Sequence, residues 1–82
     1  MEIKANVVLF PWGEDHGQVH VYTSRLAGYW ERRDGSEGGT LTFGWLITGR
    51  LELIDYDGAG VLPNAVVKAL RAAGFVLDDT FD

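Results

Sequence analysis

Up to residue 58 the apolar residues of this chain recur mostly every second position, and after residue 61 they recur every third or fourth. That change of period constrains the fold more than any other feature. A period of two marks a strand with one covered face, and a period near 3.6 marks an amphipathic helix. The strand-like segments are joined by short gaps, whereas a parallel crossover needs about a dozen residues or more. Neighbouring strands must therefore run antiparallel. The expected fold is α+β: an antiparallel sheet of four to five strands followed by one C-terminal helix packed on one face.

Along the chain, Ile3, Ala5, Val7 and Leu9 alternate with Glu2, Lys4 and Asn6, which makes the first set the expected core face of a strand over 2–10. Val8 and Phe10 make the far end of the other face apolar as well. Pro11 cannot donate to a ladder and is expected to end the strand, leaving 11–17 as a loop. Val19 and Val21 alternate with Gln18, His20 and Tyr22 in a second strand. Residues 23–33 carry mixed signals. Thr23 or Ser24 suits a helix cap, but Gly28 and the Tyr29-Trp30 pair favour extended chain, and we read a strand over 28–33. Asp34–Gly39 is a turn. In 40–48, Leu41, Phe43, Trp45 and Ile47 line one face, which places Trp45 in the core. Residues 50–54 continue as a strand that ends at Asp55-Tyr56-Asp57-Gly58. Pro63 opens the helix, Leu62, Val66, Ala69, Leu70 and Ala73 form its apolar stripe, Gly74 ends it, and Phe75 folds back on its last turn. Residues 75–77 suit a short edge strand.

A chain of 82 residues has room for one core, so residues 1–82 are expected to form a single domain. With no cysteine, disulfides, thiolate metal sites and thiol nucleophiles are excluded. No apolar run approaches the roughly 18 residues of a membrane span, and the first residues lack a basic patch followed by an apolar stretch. The expected location is the cytoplasm, without membrane contact. Twelve acids against seven bases give a net charge of −5. Such a surface disfavours direct nucleic-acid binding and favours a basic protein partner.

The chain has no glycine-rich phosphate loop and no nucleophile elbow, and its only serines are Ser24 and Ser36. It is not expected to be an enzyme or to carry a cofactor. One alternative is a divalent-metal or small-molecule site in the 12–20 loop, built from Glu14, Asp15, His16 and His20. On a strand His16 and His20 would stand about 13 Å apart, so only a bent loop would gather them around one ion. Asp55-Tyr56-Asp57-Gly58 opens like a calcium loop, but the position that needs a bidentate carboxylate holds Val66, and a strand-ending turn is the simpler reading.

The rings are more informative. Trp12 lies in a segment without periodic apolar neighbours, and Tyr22 falls opposite in phase to Val21. Tyr29 and Trp30 must point to opposite faces of a strand, so at least one faces away from the helix. The expected partner-binding residues are Trp12, Tyr22, Tyr29 and Trp30, rimmed by the carboxylates of Asp55 and Asp57. The resulting expectation is a small acidic interaction protein, not a catalyst, that binds a protein partner or itself through an aromatic-bearing sheet face. Homodimerisation is one form of it. An adaptor or inhibitor of a basic, nucleic-acid-handling system, of the sort carried by phages and mobile elements, is another. Two further stretches, Gly35–Leu41 and Glu52–Gly58, look purposeful but have a structural rationale only.

Overall fold

The computed structural model describes residues 6–12, 15–58 and 60–81, with the backbone alone at Asn6, Val7, Trp12 and Asp15. Five strands run β1 (Asn6–Trp12), β2 (Asp15–Tyr22), β3 (Ala27–Arg32), β4 (Gly38–Trp45) and β5 (Leu51–Gly58), followed by one helix, α1 (Asn64–Ala72). The sheet order is β1-β2-β3-β4-β5, and every neighbouring pair is antiparallel. This is the α+β arrangement expected from the change of period. Among the described residues no helix is long and apolar enough to cross a membrane.

One sheet face carries the core. Val19 and Val21 of β2, Trp30 of β3, Leu41 and Phe43 of β4, and Leu51 and Leu53 of β5 are all buried. Val66, Val67, Ala69 and Leu70 of α1 close over them, with Leu62 before the helix and Leu77 after it. Burying side chains of this size contributes about 1.5–3 kcal/mol each relative to exposure, set against the conformational entropy of ordering the chain.

The helix begins after Pro63, whose extended backbone (φ −62°, ψ 143°) occupies the N-cap position. Its stripe differs slightly from the one expected: Val67 joins it, and Ala73, just past the last turn, is exposed. Gly74 (φ +98°) ends the helix in the left-handed conformation. The Gly74 N–H donates to the Arg71 carbonyl, and the Phe75 N–H reaches back to the Leu70 carbonyl at 3.0 Å. The chain then turns along β5. Val76 donates to the Leu51 carbonyl and accepts from the Leu53 N–H, each at 2.9 Å, which makes one parallel bridge on that edge. Phe75 covers Phe43 with ring centroids 5.5 Å apart. Arg71 Nη2 donates to the Leu77 carbonyl at 3.0 Å and holds this return segment to the helix.

Four strand readings need correction. Asp55-Tyr56-Asp57-Gly58 is not a strand-ending turn: all four residues pair with β4, and β5 runs through them to Gly58. In β1 the covered face belongs to Val8 and Phe10, and Leu9 is 66 % exposed. Val8 pairs with buried Val19, and Phe10 fits opposite Gly17, so the cross-strand partners decided the phase that the N-terminal alternation left open. Pro11 does not end the strand: β1 continues through Pro11, paired with His16, to Trp12, paired with Asp15. The reason lies in the ladder. The His16 carbonyl accepts from the Arg33 N–H, so His16 directs its backbone toward β3 and asks nothing of Pro11. Finally, Trp45 and Ile47 are not core. Trp45 is the last residue of β4 and is 59 % exposed. Ile47 stands at the tip of a turn closed by the Leu46 N–H to the Arg50 carbonyl at 2.8 Å and is fully exposed. Strand parity puts Trp45 on the covered side, but the cover does not reach it, and Ile47 lies beyond the strand.

The two stretches that look purposeful are hydrogen-bonded neighbours, β4 and β5, with Gly39 facing Gly58. The Tyr56 ring lies over both glycines. A β-carbon at Gly39 would come within 2.5 Å of the ring, and one at Gly58 within 2.2 Å of the hydroxyl.

Candidate functional site on the open sheet face

The register assigns the other face residue by residue. One row runs His20, Tyr29, Thr40, Asp57 across β2 to β5, and the next runs Tyr22, Ala27, Thr42, Asp55. Four of the expected site residues, Tyr22, Tyr29, Asp55 and Asp57, therefore share one surface. Trp30 does not: it lies on the covered face between Val19 and Gly39 and is 3 % exposed. The alternation expected for Tyr29 and Trp30 holds, with Tyr29 on the open side. Trp12 has only its backbone described.

The rings form a stack. His20 and Tyr29 are directly opposite on β2 and β3, with centroids 4.5 Å apart and planes inclined by 11°. Tyr22 extends the stack on the other side, 6.4 Å from Tyr29 at 25°. The Arg25 guanidinium, in the short 3-10 turn Thr23–Arg25, stands 5.5 Å from the Tyr22 ring centre, a cation–π contact within the molecule. Burial, then the nearby Tyr22 and Glu31, push the Tyr29 phenol above its ordinary pKa, so it stays neutral throughout the physiological range. His20 Nε2 is buried without a hydrogen-bond partner, and the nearest carboxylate oxygen, of Glu31, lies 3.9 Å away.

The acidic side depends on a bulge. Thr42 faces Asp55 but Phe43 faces Leu53, so Ile54 is an extra residue in β5. Without it, Asp55 and Asp57 would share the parity of buried Leu51 and Leu53. With it, both carboxylates turn to the open face and are exposed, while Tyr56, opposite Leu41, packs against the core. Two strand spacings, about 10 Å, separate the ring-bearing strand β3 from β5. Thr40 and Thr42, small and polar, lie between. The surface is a row of stacked rings beside two solvated carboxylates. Stacking and Arg25 engage the ring faces within the molecule, so the row offers its rims as contact area and the acids offer sites for positive charge.

Of the metal alternative, only the two histidines have described side chains. His16 and His20 both lie on β2, and His20 is occupied by the ring stack. Among the described residues no group of three or more His, Cys, Asp or Glu side chains could hold a metal ion. Glu14 and the Asp15 side chain lie outside the described residues. Arg32 finds its partner in the neighbouring turn, where its Nη1 meets Glu37 Oε2 at 3.1 Å.

Reading the sequence alone missed His20 as a member of the ring cluster, and with it Thr40, Thr42 and Arg25. The signal that finds them is register. The tight turn after Tyr22 pairs Tyr22 with Ala27 and so sets Tyr29 against His20. The chain matches no protein-family model, no curated protein and no solved structure.

Proposed function

We propose that this chain is a non-catalytic interaction module whose open sheet face grips a basic protein surface. The observation that carries this reading is the stack of His20, Tyr22 and Tyr29 on the face that α1 leaves uncovered, in the same two cross-strand rows as Asp55 and Asp57. Amphipathic rings are enriched at binding surfaces because they offer large area at low entropy cost. The net charge of −5 steers cationic partners toward the molecule, and the ring platform supplies contacts that outlast screening.

The direct test is a titration of the isotope-labelled protein with a hexa-arginine peptide, followed by NMR at two salt concentrations. Shifts should centre on residues 20, 22, 29, 40, 42, 55 and 57 and weaken as salt rises. Shifts centred on the acidic C-terminal residues Asp78 and Asp79, or spread evenly over every carboxylate, would overturn the reading.

A further inference from the structure

A second surface, separate from the ring face, lies at the opposite edge of the sheet. β1 pairs with β2 on one side only, and its other edge is unpaired among the described residues. The phase of the ladder says which groups are free. His16 directs its backbone to β3, so Gly17, Val19 and Val21 direct theirs to β1. Their partners Phe10, Val8 and Asn6 face inward. Val7 and Leu9 therefore present N–H and C=O outward, and Pro11 presents its C=O alone. Beside this edge, between β1 and α1, runs an apolar groove of about 580 Å³, walled by Val8 and Phe10 on one side and Ala65, Ala69 and Ala72 on the other. That volume falls within the roughly 300–1,000 Å³ of ordinary ligand sites. Lys68 is the one charged residue lining it, and it makes no ion pair among the described residues.

We infer that this groove binds an extended peptide segment of a partner protein, which adds a sixth strand beside β1. Three features select that occupant. Outward N–H and C=O groups at alternate residues match an extended backbone and no compact ligand. The alanine wall of α1 leaves room for the alternate side chains on the covered side of such a strand, which must be apolar. Lys68, on a chain otherwise rich in acids, asks for a carboxylate on the peptide where it passes the helix. The ring face and this groove lie on different sides of the sheet, so one can fail while the other stands.

The test uses the full chain as bait against a phage-displayed library of random heptapeptides, and then the enriched peptide in solution. Enriched sequences should carry apolar residues at alternate positions together with an Asp or Glu. Their binding should shift the amides of Val7, Leu9 and the first turns of α1. N-methylating alternate peptide amides should weaken binding by about tenfold or more, as expected for lost backbone hydrogen bonds, with the protein itself untouched. Leu9→Pro, which removes an outward N–H and none of the β2 ladder, should do the same, and Lys68→Glu should weaken acidic peptides selectively. Tyr29→Ala should leave binding unchanged. Failure to enrich any such sequence, or affinity indifferent to N-methylation, overturns the proposal. So does a dimeric chain with the Val7 and Leu9 amides protected from exchange, because the edge then serves a second copy.

Discussion

Along β2, Val19 and Val21 are fully enclosed, whereas His20 and Tyr22, one residue on in each case, keep part of their surface in water. The same contrast crosses to β3, where Trp30 is core and Tyr29 is stacked on the open side. The two faces have the same backbone and the same strand neighbours and differ in what covers them. On the covered side the aliphatic residues meet α1 and the return segment through Phe75 and Leu77. On the open side the residues are rings with polar atoms, threonines and carboxylates, which tolerate water and still offer contact area. A one-layer cover on a five-stranded sheet thus divides the molecule into a face that holds the fold and a face that α1 leaves open.

If that division is right, substitutions on the two faces separate stability from binding. The largest loss of stability belongs to the covered side: Leu70→Ala, at a fully buried position of α1, should cost about 2–5 kcal/mol in urea unfolding. Next comes Gly39→Ala, which drives a β-carbon into the Tyr56 ring and should cost about 1–3 kcal/mol. Tyr56→Leu in the same background should recover part of that loss, and a double-mutant cycle reads the coupling. On the open side, Tyr29→Ala should cost only about 0.5–1.5 kcal/mol, the worth of the lost ring stacking, yet should abolish most of the hexa-arginine shift. A loss as large as that of Leu70→Ala would erase the distinction between the faces. The pair Asp55→Asn and Asp57→Asn should change stability by less than about 0.5 kcal/mol and should flatten the salt dependence of binding.

The smallest effect lies in the β3–β4 turn. Ser36 donates to Asp34 Oδ1 from its hydroxyl at 2.6 Å and from its N–H at 2.9 Å, and these bonds hold the Asp34 carboxyl below its usual range. A lowered folded-state value means that the turn's contribution is present above the ordinary carboxylate pKa and is lost as pH falls through the lowered one. Ser36→Ala should move the Asp34 titration upward in carbon-detected NMR, with no effect at neutral pH.

Much of this architecture was legible in the residues themselves. The change of period announced an antiparallel sheet and a closing helix, and the short gaps required sequential pairing. Tyr29 against Trp30 told that a ring must face outward. What local pattern could not tell was set by partners distant in the chain. The face chosen by β1 depended on Val19 and Gly17, the exposure of Trp45 on how far the cover extends, and the direction of Asp55 and Asp57 on one extra residue in β5. Pro11 read as a strand end because its edge position was invisible. His20 entered only as a residue of the metal alternative, because its neighbour across the ladder was unknown.

The central claim is that the outer surface of the sheet meets another protein. A photo-crosslinking amino acid placed at position 29, in cells that make the protein, tests it most directly, with position 47, a fully exposed apolar site at the tip of the β4–β5 turn, as the control. The account predicts a discrete adduct from position 29 that disappears when Tyr22 and Asp57 are replaced, and none from position 47. Equal labelling from both positions, or no adduct from position 29, would contradict it.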